Sequence, residues 1–398
     1  QFLAPAEFPK SGSLIASYAG RDAKLEPIML LAHIDVVEAR REDWVRDPFT
    51  LVEEDGFFYA RGASDDKAMA SIFTDLLVRW SEQQYRPQRG VTLALTCGEE
   101  TSEHFNGVLW LLQNHPALMQ AKFVLNEGAG GLLDASGKHL SLDVQAGEKV
   151  YQDFRLEVTH PGGHSSRPTR ENPISRMAAA LTRLAAYQFP VSLNDTTRAY
   201  FLAQAEMASP EVAADMRAVV ADPTNDDAAQ RLWTANPSWN GMLRTTCVAT
   251  QFDGGHAPNA LPQRAKVNVN CRILPGVPME QVRADIIRVI ADDSISVHFG
   301  DEMGLPAPVP PLTAEMLHPI RAIAKTLWPE ARVVPTMATG ATDGRFLNAA
   351  GTPTYGISGV FADAAGSGAH GLNERIRVQS LLDARQFLHE LVKSYTRH

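Results

Sequence analysis

Acidic and histidine side chains cluster at several points where an apolar run gives way to a loop. His33-Ile34-Asp35 closes the run Pro27 to His33 (PIMLLAH). Glu99 and Glu100 follow Gly98, directly after Val91 to Cys97 (VTLALTC). Glu127 follows Lys122 to Asn126, and Asp65 and Asp66 stand just before a helical pattern that starts at Lys67. Far downstream, His370 lies in a glycine-rich stretch, Gly366 to Gly371.

These residue types suit a hydrolytic metal centre. Zinc accepts imidazole nitrogen and carboxylate oxygen, and hydrolytic sites keep a position open for water. Two such ions ~3.5–4 Å apart need one bridging ligand and terminal ligands on each side. Two histidines and three carboxylates meet that demand, and a spare carboxylate can serve as general base on the attacking water. Adjacent Glu99 and Glu100 suit this division, because neighbouring loop residues can point in different directions. Each cluster alone has a plainer explanation. A histidine after a strand is usually structural, an acidic pair is usually solvated, and Asp65 and Asp66 would serve as helix caps. Their shared position beside apolar runs, where solvated faces are not expected, favours a common centre.

The elements that must position them read as α/β. Three short apolar runs, at Pro27 to His33, Val91 to Cys97 and Lys122 to Asn126, have the pattern of strands buried on both faces. Helical spacing lies between and after them, at Lys67 to Trp80 and Gly107 to Gln113. That order implies a mostly parallel sheet covered by helices. From Tyr151 the pattern alternates, and strand, helix, strand, strand, helix, strand follow: Tyr151 to Thr159, Pro173 to Tyr187, Leu243 to Phe252, Arg264 to Ile273, Met279 to Ile290 and Ser294 to Phe299. That is a ferredoxin-like α+β satellite domain. The expected division is 1–149 with 304–398 as a discontinuous catalytic domain and 150–303 as the satellite, with a helical insertion at about 191–239.

The motifs LLAHIDVV, WVRDPFT, YARGASDDKAM, GEE, NEG, GGHSS and HGLNERI resemble the family of two-zinc exopeptidases and deacylases that includes aminoacylase, carboxypeptidase G, the carnosinases and carboxypeptidase S. The likeness runs from about Ser13 to the C-terminus. RGASDDK, GGHSSRP, RTT, APNALP and NERI are most similar to the branch of carboxypeptidase S and the secreted N-acyl-amino-acid hydrolases. The resemblance implies a zinc-exopeptidase catalytic domain with a satellite domain that acts as lid or dimer contact. It assigns His33 and Glu127 to one zinc, Glu100 and His370 to the other, and Asp65 to the bridge. Asp35 would orient His33. Glu99 would carry the proton from water to the leaving amine, and His164 would stabilise the oxyanion, in preference to His160. Arg345, Asn259 and Arg272 would contact substrate, Arg345 by clamping its carboxylate. Asn259 also suits ordinary turn chemistry, and Arg272 a pairing with a local acid. Cobalt or manganese could replace zinc on ligand type. Where many relatives have Asp-Glu-Gly, this chain has Asn126-Glu127-Gly128, which keeps the ligand and changes its surroundings.

The expected reaction is hydrolysis of the amide of an N-acyl amino acid, or of a peptide with a free carboxylate. Phe201, Leu202, Trp233 and Trp239 are candidate walls for an apolar acyl cleft. A dipeptidase or carboxypeptidase acting on unblocked peptides is the alternative; no acidic anchor for a free amine is legible. A two-metal phosphoesterase and a metal-binding protein without catalysis rank below these. The partner is a small molecule, with a homodimer through the satellite domain left open. With 398 residues, 44% hydrophobic and a formal charge of -9, the chain has material for two domains and no general affinity for nucleic acid. No run is long enough to span a bilayer. The compartment is open, with a secreted or periplasmic place favoured by the most similar branch. Cys247 and Cys271 lie on two strands that can pair, so one disulfide is open too, while Cys97 reads as a small buried filler.

Overall fold

Ile28–His33 is buried at every residue, and its side chains divide between two cores. Ile28, Leu30 and Ala32 join one hydrophobic cluster, whereas Met29 and Leu31 join another. A strand whose alternate side chains enter different cores has helices on both faces. In this computed structural model, which describes residues 1–100, 105–363 and 365–397, the first cluster is completed by Met69, Phe73, Leu76 and Trp80 of helix Lys67–Glu82. The closing helix Val378–Thr396 adds Phe387, Leu388 and Leu391. Val108 and Leu111 of helix Gly107–Asn114 cover the opposite face. Burying one such side chain contributes roughly 1.5–3 kcal/mol, so this sandwich is a stiff support.

The chain forms two compact units, 1–147 with 309–336 and 342–398, and 148–308 with 337–341. In the first, the strand order runs Phe2–Leu3, Ser13–Tyr18, Val91–Thr96, Ile28–His33, Val124–Asn126, Thr354–Gly356, His139–Glu148, Gly131–Leu133, Phe361–Ala362. The four strands from Val91–Thr96 to Thr354–Gly356 are parallel, and antiparallel pairing begins on either side of them. The sheet is mainly parallel and helix-covered, as the apolar runs imply. Ser13–Tyr18 and His139–Glu148 have no such run and are not anticipated by it.

In the second unit the sheet order is Thr246–Gly254, Arg264–Ile273, Val150–Thr159, Ser296–Phe299, all antiparallel. Val150–Thr159 alternates buried and more exposed residues along its length. Its buried side packs with Met177 and Leu184 of Pro173–Ala186 and with Val282 and Ile286 of Met279–Ile290. This is the ferredoxin-like order. Cys247 and Cys271 face each other in register and form a disulfide. The insertion is four helices, Asp195–Gln204, Pro210–Ala221, Asp226–Ala235 and Pro237–Leu243, so the strand expected from Leu243 starts instead at Thr246. Phe201 is fully buried among Met216, Val219 and Leu232. It holds these helices together and cannot line an open acyl cleft, which corrects that expectation. Leu202 is exposed.

Candidate metal centre

Register decides what meets at the sheet edge. Ile28–His33 pairs parallel with Val91–Thr96, which sets His33 opposite Thr96, and on its other side with Val124–Asn126. Three parallel strands end together, so His33, the Glu99-Glu100 pair and Glu127 emerge at one C-terminal edge. Asp66 occupies the N-cap of helix Lys67–Glu82 but makes no capping hydrogen bond with its side chain. The capping explanation for the acidic pair therefore fails. The Asp65–Asp66 peptide is cis. His370 sits in the left-handed region at φ 61°, flanked by the glycines of its loop.

Five of the expected side chains converge. His33 Nε2 lies 3.1 Å from Asp65 Oδ1 and 3.8 Å from Glu127 Oε1. His370 Nε2 lies 3.1 Å from Asp65 Oδ2 and 3.0 Å from Glu100 Oε1. Two donor triads thus share Asp65, one oxygen turned to each: His33, Asp65 and Glu127, and Asp65, Glu100 and His370. Glu99 forms a third grouping with His33 and Glu100. Behind His33, Nδ1 is 3.1 Å from the carbonyl oxygen of Asp35 and 3.7 Å from its carboxylate. The backbone oxygen is thus the nearer partner of that ring nitrogen. Asp35 Oδ2 meanwhile accepts the N–H of Glu100 at 3.0 Å, which ties the two halves of the cluster together.

The electrostatics show a surplus of negative charge. Burial opposes a charged His33 imidazole, but hydrogen bonds with Asp35 and Asp65 and the charges of Asp66 and Glu127 overcome it and hold the ring far above its ordinary range. Burial and Asp66 push Glu127 well up; burial and Asp65 raise Glu100. Burial, then the charges of Asp343 and Glu127, push Glu99 up to about 9. Asp35 goes the other way, because the His33 and Glu100 contacts outweigh its burial. So many carboxylates crowded into one buried place favour cations among them. Two imidazoles and three carboxylates in paired triads fit two divalent ions.

Residues with no role of their own legible in the sequence support this cluster. Asp66 is buried, and its charge acts on the His33 ring. Asp343 is buried and accepts from Asn106 Nδ2 at 2.6 Å and Thr96 Oγ1 at 3.3 Å. Its charge is the largest electrostatic contribution to Glu99. The ATDG sequence before Arg345 was the available signal for Asp343, without a role attached. Arg345 lies in the first turn of Gly344–Ala349, half-buried, its guanidinium 4.6 Å from the centre of the Phe346 ring.

In the second unit, His164 is exposed on the short strand Gly163–His164, paired with Ala260–Leu261. Its Nδ1 accepts the Ser166 N–H at 3.1 Å and lies 2.7 Å from Ser166 Oγ. Ser165 N–H donates to the Asn259 carbonyl at 3.1 Å, so His164 and Asn259 lie side by side at one end of this two-stranded pairing. Arg272 is near the far end of Arg264–Ile273, ~27 Å along the strand from Arg264. Its guanidinium stacks 4.7 Å from the Tyr151 ring centre.

Residues 29–394 match the family model described as Peptidase family M20/M25/M40. The N-fatty-acyl-amino acid synthase/hydrolase PM20D1 of Homo sapiens is 30% identical over 385 residues, covering 94% of this chain and 75% of that protein. The probable carboxypeptidase S-like 2 of Dictyostelium discoideum is 27% identical, covering 96% and 74%. Among solved structures, the M20 family metallo-carboxypeptidase Sso-CP2 of Sulfolobus solfataricus superposes with a TM-score of 0.70 at 19% identity, over 97% of this chain and 88% of that one. Among the described residues, no helix is long and apolar enough to cross a membrane.

Proposed function

This chain belongs to Peptidase family M20/M25/M40 and is a metal-dependent amidohydrolase; from that premise we propose that it cleaves N-acyl amino acids with a free carboxylate, using two zinc ions held by His33, Asp65, Glu100, Glu127 and His370. The observation that carries the reading is the pair of triads sharing Asp65, each with one histidine and one further carboxylate. When bound, such ions would polarise the scissile carbonyl and make water a nucleophile near neutral pH. Glu99, which is not needed to complete either triad, takes the proton from the attacking water on its carboxylate and passes it to the departing amine. Burial, and after it the charge of Asp343, raises the proton affinity of the Glu99 carboxyl. Arg345 has the planar fork that recognises a carboxylate. His164 is assigned to the oxyanion on its GGHSS motif and its exposed ring. Zinc is the preferred ion because the donors mix imidazole nitrogen with carboxylate oxygen. The satellite domain is read as lid or dimer contact, and a secreted or periplasmic setting agrees with the disulfide.

A panel of N-acyl amino acids with fatty, short and aromatic acyl groups, run beside free and N-blocked dipeptides on zinc-loaded protein, tests the substrate class. Product analysis by mass spectrometry should show acyl amino acids cleaved faster than free dipeptides. A preference for free dipeptides would replace this reading with that of a dipeptidase.

A further inference from the structure

Glu374 is the most completely satisfied buried carboxylate near the cluster, and it ligates nothing in either triad. Its side chain is 1% exposed, and that of its ion-pair partner Arg61 is 4%. Oε2 accepts Arg61 Nη1 at 2.9 Å and the N–H of Gly62 at 2.8 Å. Oε1 accepts the N–H of Ser64 at 2.8 Å and the N–H of Asp65 at 2.9 Å. A carboxylate offers about four acceptor positions, and here four donors occupy them. All four partners are donors.

The chain wraps from 61 to 65 around this one anion, and the last amide held belongs to Asp65, whose carboxylate faces both histidines. The other arm of Arg61 reaches the second loop: Nη2 donates to the carbonyl of Gly371 at 2.8 Å, one residue after His370. The Arg61 guanidinium is backed by Trp44, 5.1 Å from its ring centre. Glu374 itself precedes strand Arg375–Arg377, which pairs with Phe57–Tyr59, and its carbonyl accepts the N–H of Ala60. Asp65 and His370 are thereby tied to one buried ion pair, although 305 positions separate them in sequence.

We infer that Glu374 is a positioning residue for the His370 half of the centre: with Arg61 it fixes the separation of Asp65 and His370, and so the affinity and geometry of the second ion. This rests on the two-ion reading above. His33 and Glu127 are placed by sheet strands and do not depend on the clamp. Glu374→Gln keeps the size of the side chain but turns an N–H₂ toward two donors, which opens one side of the clamp.

The test is a Co²⁺ titration of the chelator-stripped chain followed by visible absorption, with kcat and KM measured on the reloaded protein. The parent should bind two ions. Glu374→Gln should bind the second ion at least ~10-fold more weakly and the first with a smaller loss, because Asp65 serves both, with an altered spectrum, a lower kcat and a near-parental KM. A purely structural role would lower the melting temperature while leaving spectrum and stoichiometry as in the parent, and that result overturns the inference. If the parent itself binds fewer than two ions, the two-ion reading fails first. Should Glu374→Gln yield no folded protein, Arg61→Lys decides, since it keeps a cation beside Glu374 and loses the arm to Gly371. Weakened second-ion binding supports the clamp, and unchanged binding of both ions contradicts it.

Discussion

The two halves of the centre are built by opposite means. His33 is 2% exposed and ends a strand whose six residues are all buried, so the packing of the sheet sets its position. His370 has a side chain 59% exposed, in a loop with φ 61° and glycine neighbours. What holds the second half is a buried ion pair and backbone hydrogen bonds, reaching it through Asp65 and Gly371. The lesson is that one ligand can be placed by apolar packing while its counterpart is placed by charge. The two should respond to different perturbations.

The largest effect should come from the residue that moves the proton. Glu99→Ala is expected to lower kcat by ~10²–10⁴-fold while metal analysis still finds two ions, because Glu99 completes neither triad. Full activity with both metals bound would break the comparison at its centre. Next comes a paired truncation. Leu30→Ala, in the core under His33, should lower stability by ~2–5 kcal/mol in urea unfolding. Leu372→Ala, 58% exposed beside the His370 loop, should change it by no more than ~0.5 kcal/mol. Equal effects would mean that both halves lean on the same core.

Perturbing the second unit sharpens the contrast. Reducing Cys247–Cys271, which closes a loop with a sequence separation of 24, should cost roughly 3 kcal/mol while leaving the metal titration unchanged, since every triad residue belongs to the first unit. The smallest effect concerns Asp292, where hydrogen bonds from Arg176 and then Ser294 hold the carboxyl well below its ordinary value. A depressed carboxylate stabilises above its unfolded pKa of ~3.9 and loses that contribution as pH falls through the lower folded value. Arg176 is partly exposed, so Arg176→Met should reduce stability at pH 7 only slightly in urea unfolding, and the difference should vanish in strong acid.

What was legible in the sequence follows the same division. The strand under His33 could be read because five apolar residues in a row leave few other structures, and the ferredoxin-like unit because Val150–Thr159 alternates so regularly. Ser13–Tyr18 carries no comparable signal, being only partly buried, and its place depends on pairing with Val91–Thr96. The convergence of the five acid and histidine side chains was expected from their places at strand and loop ends and from the motifs. The supporting roles of Asp66, Asp343 and Arg61 were not, although Arg61 and Asp66 lie inside the YARGASDDKAM motif. Their meaning lies in burial, which a local pattern does not reveal. Phe201 shows the converse error: an aromatic residue in an insertion reads equally well as cleft wall or as core.

The most direct measurement is anomalous X-ray scattering at the zinc edge from crystals equilibrated with Zn²⁺. Two peaks ~3.5–4 Å apart are expected on either side of the Asp65 carboxylate, one beside His33 and Glu127 and the other beside Glu100 and His370. A single peak, or peaks away from Asp65, would contradict the account.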